Sequence, residues 1–551
     1  MAETLLSPGV ITRENDQSQV TQGPITAGAA IVGQTVKGQV NIPTLVTSYS
    51  SYISKFGGAF ISGGTTQEYL TSISAYNYFQ QGGASLLVTR VVSGAFSPAS
   101  SSAIINNVVG VASSSFTLET LSSGVIMNSS GASGTSNSLV SGSADNIRFE
   151  IVGANTGSGT FSLIIRRGND NDSSKVVLES WNNVSLDPNQ PNYIEAIIGN
   201  QTTSVANGFI DVTGDYVNRS AYVRVKSVSN NTLNYFDNNG IPKTTLTGSI
   251  PRNQSGSFGS AIGGLAGIYN LPSNDYTASL NLLSNSEEFR YNIITTPGIN
   301  QEASSSAIAL LILNTSNRGD AIAIVDLVNE SSTLATAVGE AGELDSSYAA
   351  AYWPWVQVNA PQTGKLTFVP PSTIIPSVFA YNDRVAAPWF APAGFTRGAL
   401  SVIQAKRKLS PSDKDTLYAA NINAIGTFPG QGVVAYGQKT LQKKASATDR
   451  INVRRLLIEL KGYIGQVANT LVFEQNSNAT RNRFLAQTNP YLESIKQREG
   501  LFAYKVVMDD TNNTADIIDR NQLVGQIFIQ PTRTAEFIIL DFNVTPTGAS
   551  F

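Results

Sequence analysis

Between about residue 93 and residue 270 the chain stops alternating strand and helix, and this interruption constrains the fold more than any other feature. Upstream, "AGAAIVGQTV" (Ala27–Val36) reads as a strand of small residues and "TLVTS" (Thr44–Ser48) as a short strand. Ser48 is placed to N-cap a brief helix through Phe56, stopped by Gly57-Gly58. In "TQEYLTSISAYNYFQQGG" the residues Tyr69, Leu70, Ile73, Tyr76 and Phe79 share one helical face, which ends at Gly82-Gly83. "SLLVTRVV" (Ser85–Val92) follows as a buried strand. Inside the interruption Ser, Gly, Asn and Thr dominate, and apolar residues come in short alternating runs: "FTLETL", "NIRFEIV", "FSLIIRR" and "KVVLESW". "RGNDNDSS" (Arg167–Ser174) is a turn cluster between two of them. The expectation is an all-β, sandwich-like region inserted into an α/β domain.

Helix and strand then alternate again. "YTASLNLLSNSEEF" and "ASSSAIALLILNTSN" read as helices, and "YNIITTPG" and "DAIAIVDLV" as strands that rejoin the first sheet. That order predicts a mostly parallel sheet. From about residue 385 the chain reads as α+β. "APWFAPAGFTRGAL" is a turn punctuated by Pro and Gly. Asp449–Glu474 is the strongest helix, with Val453, Leu457, Leu460, Ile464, Val467 and Leu471 as its apolar stripe. "PYLESIKQREG" reads as a second helix, with Pro490 near its start and Gly500 past its end. Three strands come after it: "LFAYKVVM", "QLVGQIFIQP" and a last one near the C-terminus.

The chemistry open to the chain is limited by two absences: its 551 residues include no Cys and no His. Ser-His-Asp and Cys-His catalysis, His-liganded metals, zinc sites and disulfides are thereby excluded. A net charge of −3 gives no basic excess for nucleic acid or an anionic membrane. Charged residues make up 14%, against about 25% in ordinary soluble proteins. Such a surface suits broad protein contacts. "MAETLLSPGVITREN" lacks the basic and apolar regions of a signal peptide, and "AIALLILN" (Ala307–Asn314) is too short to span a bilayer. The expectation is a protein made in a cytosol.

Each remaining motif has a bland reading. In "GQGVVAYGQKT", Gly430, Gly432 and Ala435 fit G-x-G-x-x-A, but a strand-like run occupies the place of the helix. Gln438 separates Gly437 from Lys439-Thr440, which breaks a phosphate loop, so a β-hairpin is expected. "DDTNNTADIID" lacks the Gly and closing Glu of a calcium loop and reads as a polar turn. "RGD" at Arg318–Asp320 is read as chance. Glu340, Glu343 and Asp345 are the one carboxylate group suited to acid–base work, but no cleft or aromatic cluster accompanies them. A solvated helix end is expected there. Arg450, Arg454 and Arg455 lie off the apolar stripe and suit either a solvated face or a protein interface. No catalytic, cofactor or metal residue is assigned.

The last strand raises a question of partnership. In "EFIILDFNV" the apolar residues Ile538, Leu540, Phe542 and Val544 alternate. Their burial is worth roughly 6–12 kcal/mol, whereas ordering nine residues of backbone costs on the order of 9–18 kcal/mol. The strand therefore needs ladder hydrogen bonds, and so a partner strand, in its own subunit or in another.

Several stretches together resemble the sheath proteins of contractile phage tails. They are "LLSPGVITRE" at the start, "LESWNNVSLDPNQPNYIEAIIGN" (Leu178–Asn200), and then, in family order, "APAGFTRGAL", "VVAYGQKT", "DRINVRRL", "VFEQNSNATRNRF" and "VVMDDTNNTADIIDRNQLVGQIFIQPTRTAEFIILDF". The resemblance implies a structural subunit and not an enzyme. Such subunits form stacked hexameric rings around an inner tail tube, between a baseplate and a terminator, and contract to drive the tube through the host envelope. It implies no direct nucleic-acid contact, no membrane insertion, and a place in the virion after synthesis in the host cytoplasm. Arms at both ends would add strands to neighbouring subunits, through Pro8, Gly9, Val10 and Ile11 and through Ile538, Leu540, Phe542 and Val544. Arg450, Arg454 and Arg455 become candidates for subunit contacts, and Lys496 and Arg498 for contacts to the tube. The implied division is an N-terminal arm (1–20), α/β parts (21–92 and 271–384), the β insertion (93–270), a tube-facing α+β domain (385–534) and a C-terminal β-arm (535–551). A bacteriocin or secretion-type contractile machine fits the same residues, and a carboxylate-based carbohydrate hydrolase is the rival from another class.

Overall fold

A computed structural model describes residues 25–536, apart from 63, 106–112, 125–133, 141, 207 and 260–270. The protein is mixed α/β, with several sheets. Its largest has eight strands in the order Gly432–Tyr436, Asn423–Phe428, Ala349–Trp353, Ile322–Val325, Ile293–Thr295, Ala29–Gly33, Leu86–Arg90 and Thr44–Val46. The inner strands all run parallel, and each edge strand is antiparallel to its neighbour. Parallel strands carry helices on both faces, which is why these runs are apolar at nearly every residue. Ala30, Val32, Ile294 and Val325 enter one core with the helices Ser273–Leu282 and Gln301–Arg318. Ala29, Ile31, Ile293 and Ile324 enter the other with Leu70–Gln80 and Ile375–Val385.

Local signals act where the sequence places them. Ser48 accepts a hydrogen bond from the Ser51 N–H and caps Tyr49–Phe56, which ends at Gly57 with φ +75°. The next segment differs from expectation. Thr65–Glu68 is a strand paired with Ala59–Ser62, and the helix begins only at Leu70. Tyr69 stacks on Phe60 at 4.4 Å, and the buried Glu68 carboxylate accepts from Ser72 Oγ at 2.7 Å, which fixes the junction. Because this helix is wedged between the sheet and Ile375–Val385, its buried surface covers Leu70 to Ala75 and Tyr78, wider than a single stripe.

Most strands of the 93–270 stretch form two antiparallel sheets. One runs Val177–Ser185, Thr160–Arg167, Ile147–Asn155, Gln254–Ser257; the other runs Val223–Val228, Ser114–Ser123, Pro98–Ile104. Phe116, Leu118 and Val225 of the second meet Phe149, Phe161 and Leu163 of the first in one core. Two short helices, Ile194–Ile198 and Thr244–Thr247, interrupt what the sequence suggested was β alone. The "RGNDNDSS" turn holds a buried charge. Arg166 reaches Asp170 at 2.8 Å, Glu150 at 2.9 Å and Asp172 at 3.0 Å. Fully buried Arg90 donates to Gly38 O at 2.7 Å and Ser123 O at 2.6 Å, tying the end of the Ser114–Ser123 strand to the central sheet.

Two strands from the span 385–534, Asn423–Phe428 and Gly432–Tyr436, continue the central sheet. The helices and hairpin C-terminal to them pack on separate cores around Trp389, Leu456, Leu460, Leu492 and Leu501, and around Val467, Phe484 and Met508.

Candidate assembly interface

Two long helices and a hairpin, with the short helix Ala515–Asp519 between its strands, build the described C-terminal part. The first helix is Ile451–Asn469; Leu456 lies in its core, and Leu457, expected there, is only partly buried. The second, Asn478–Gln497, is capped by Ser477 and starts well before the predicted Pro490, which falls in its interior. The missing N–H at Pro490 is tolerated because Phe484, Leu492 and Ile495 anchor both sides of it, while Tyr491 stacks on Tyr463 at 3.7 Å.

The strands Leu501–Val507 and Gln526–Pro531 then pair antiparallel. Alternation turns Tyr504, Val506, Ile527 and Ile529 toward the helices, and a register shift between Leu501 and Ala503 brings Leu501 into the same core. Phe528 (56% exposed) faces outward between Ile527 and Ile529, and Phe502 (75%), at the register shift, is exposed as well. Among the described residues this sheet has only two strands, so each has one edge without a strand partner. Open edges are templates for a further strand, and a two-stranded sheet gains stability from one.

Beyond the hairpin the chain runs as a strap, Thr532 to Glu536. The Thr532 N–H donates to Gly500 O at 3.2 Å, and Asn452 Nδ2 donates to Thr534 Oγ1 at 3.2 Å. The Glu536 carboxylate accepts from Arg450 Nε at 2.7 Å and Nη2 at 3.1 Å, from Tyr418 OH at 2.9 Å and from Gln438 Nε2 at 3.1 Å. Burial opposes its charge, but the hydrogen bonds from Arg450 and Tyr418 outweigh that and hold the carboxyl below its ordinary value. Three stretches singled out in the sequence, "VVAYGQKT", "DRINVRRL" and "RTAEF", thus supply donors and acceptor at one point. Gln438, which breaks the phosphate-loop pattern, is one of the donors. Sequence reading assigned no role to Glu536, Tyr418 or Gln438; the only available signal was that Gln438 and Glu536 fall inside those stretches.

The arginines are engaged within the chain. Arg455 (3% exposed) makes a bidentate pair with Asp383 at 2.8 and 2.5 Å. Arg454 (7%) donates to Ser347 Oγ at 2.5 Å and lies 4.1 Å from the Tyr348 ring centroid. The solvated face is therefore corrected. These side chains clamp the first turn of the helix to the central body and have little surface left for a neighbour. Lys496 is exposed, 3.8 Å from Glu493, and Arg498 stacks over Trp389 at 4.8 Å; both sit at the end of the second helix. Pro8, Gly9, Val10, Ile11, Ile538, Leu540, Phe542 and Val544 lie outside the described residues.

Elsewhere, Asn423–Tyr436 is the expected hairpin, and Lys439 Nζ is bound to Tyr418 O at 2.8 Å and Asn421 Oδ1 at 3.0 Å. Asp509 accepts from the Thr511 N–H at 2.9 Å in a polar turn before Ala515–Asp519. Arg318 of "RGD" ties down Leu283 O and Phe289 O at 2.7 and 2.8 Å. Glu340 and Glu343 sit at the end of Leu334–Gly342, and Asp345 accepts from the Lys443 N–H at 3.0 Å. Buried Asp326 hydrogen-bonds the N–H and Oγ of Ser372, yet burial pushes its carboxyl up to about 7. Among the described residues no group of three or more His, Cys, Asp or Glu side chains is placed to hold a metal ion, and no helix is long and apolar enough to cross a membrane.

Residues 272–441 match the phage tail sheath protein central domain, and residues 443–545 match the phage tail sheath C-terminal domain. The tail sheath protein of Vibrio phage KVP40 is 38% identical over 230 residues, 42% of this chain and 32% of that protein. That of Enterobacteria phage T4 is 41% identical over 185 residues, 33% of this chain and 28% of that protein. The matched segment thus spans about a third of each curated relative. The fold is similar along nearly the whole chain to the contracted helical sheath of the anti-feeding prophage, with TM-score 0.52, 16% identity, and 98% and 99% of the two chains covered. It is also similar to a sheath tail protein of Listeria innocua, with TM-score 0.55, 11% identity and 94% of each chain covered.

Proposed function

We propose, from the premise that this chain belongs to the phage tail sheath family, that it is the structural subunit of a contractile sheath. Its subunits stack as hexameric rings around an inner tube, and contraction drives that tube through the host envelope during genome delivery. One observation carries this reading. Among the described residues the Leu501–Val507/Gln526–Pro531 sheet has an open edge on each strand, and the described chain ends at Glu536, just before a segment of strand-like sequence pattern. Residues 7–15 and 537–545 of neighbouring copies are the strands that fill those edges. Bodies can then rotate while the lattice stays joined, a bistability of interfaces rather than of chemistry.

In this reading Lys496 and Arg498 face the tube, and baseplate and terminator close the two ends. The β sheets of the 93–270 stretch decorate the outside. The boundary of the tube-facing domain lies near residue 442, because the strands before it belong to the central sheet. A virion is the setting favoured by the phage relatives, while the fold alone fits the sheath of another contractile injection machine equally well. Electron microscopy of the purified full chain at rising concentration tests the proposal. Striated tubes or stacked rings are expected; a chain that stays monomeric at high concentration contradicts it.

A further inference from the structure

We propose that Glu536 is a positioning residue: with Arg450 it forms a clasp that fixes where the C-terminal segment leaves the body. The role of the clasp in assembly rests on the sheath reading above; its role in the single chain does not. The geometry argues for a clasp rather than ordinary packing. The strap contributes no large apolar side chain, and two clefts, of about 580 and 420 Å³, are both walled by Thr534, Ala535 and Glu536. The strap is held by polar contacts: one backbone bond at Thr532, one side-chain bond at Thr534 and four donor contacts on Glu536. The Glu536 side chain is 21% exposed, so the paired charges are partly sheltered from solvent. The donors are themselves fixed. Arg450 Nη2 donates to Tyr418 OH at 2.8 Å, and Arg450 Nη1 lies 3.0 Å from Asp449. Lys439 Nζ sits 3.9 Å from the Tyr418 ring centroid. A bidentate Arg–carboxylate pair sets direction as well as affinity.

The consequence is a tether of set length. With the clasp closed, the segment that reaches a second copy starts at residue 537. With it open, the four residues 533–536 join the tether, and at about 3.3 Å per extended residue they add roughly 13 Å of reach. In a lattice joined by terminal strands, that difference decides how closely neighbouring bodies are drawn together.

Limited trypsin digestion of the full chain tests the clasp, with the fragment beginning at Thr534 quantified by mass spectrometry. In Glu536→Gln, cleavage after Arg533 is expected to be about tenfold faster or more at unchanged melting temperature, since loss of a charge-assisted bond raises the open population. Equal rates in wild type and variant overturn the proposal. Should Glu536→Gln fail to fold, Tyr418→Phe removes one donor and keeps both charges. A several-fold acceleration then supports the clasp and none overturns it. Glu536→Asp is expected to fall between wild type and Glu536→Gln. This readout needs no polymer, so failure of the sheath reading shows separately, as wild-type chain that forms no tubes. Faster cleavage combined with Glu536→Gln tubes of wild-type ring spacing and diameter overturns the positioning role in assembly.

Discussion

The arginines at the start of the Ile451–Asn469 helix work over long sequence distances. Arg455 and Asp383 are 72 residues apart, Arg454 and Ser347 107, Arg450 and Glu536 86. The sequence shows three arginines close together at the start of one helix, but their partners lie on other elements, and this is why an internal clamp reads as a solvated face or a protein interface. Asp326 gives a prediction at this scale. Burial raises its folded pKa to about 7 from the ordinary 3.8, so the folded state holds the proton more tightly than the unfolded chain. Its stabilising contribution is complete below the unfolded value and is lost as pH rises through the folded one. Asp326→Asn removes that dependence. Melting temperatures measured between about pH 4 and pH 8 are expected to fall for wild type relative to the variant across this window. Parallel profiles contradict the assignment.

Elements were legible where local rules decide them. Ser48 and Gly57 bound a helix at the residues expected, and the alternating runs of the β stretch became strands. Rules failed where packing overrode them. Pro490 looked like a helix start, since an interior proline costs about 3 kcal/mol, but the Asn478–Gln497 helix carries it between well-buried anchors. Thr66–Glu68 looked helical by continuity with its neighbour, yet it belongs to the strand Thr65–Glu68 beside the Phe60–Tyr69 stack. The two-stranded C-terminal hairpin is the element most open to test. Phe502→Asp places a charge on its outward face. The free chain is expected to keep its stability within about 0.5 kcal/mol, because the side chain is exposed. Polymer formation, followed by sedimentation, is expected to drop sharply. Unchanged polymerisation would remove this face from the interface.

At the scale of the whole molecule, a mostly parallel central sheet was readable from the order of patterns alone, whereas the short helices Ile194–Ile198 and Thr244–Thr247 in the stretch expected to be all β were not. The boundary at 385 was not. The Asn423–Tyr436 hairpin comes after Pro- and Gly-rich turns that resemble a linker, and only its pairing with Ala349–Trp353 returns it to the central sheet. Nor does sequence physics identify the recipient of the last strand; it shows only that one is needed. The most direct measurement is electron microscopy of the chain lacking residues 537–551, which leaves the hairpin and the Glu536 clasp in place. Folded subunits that no longer build long striated tubes, under conditions where the full chain does, are expected. Tubes of normal length and spacing from the truncated chain would contradict the proposed role of the C-terminal strand.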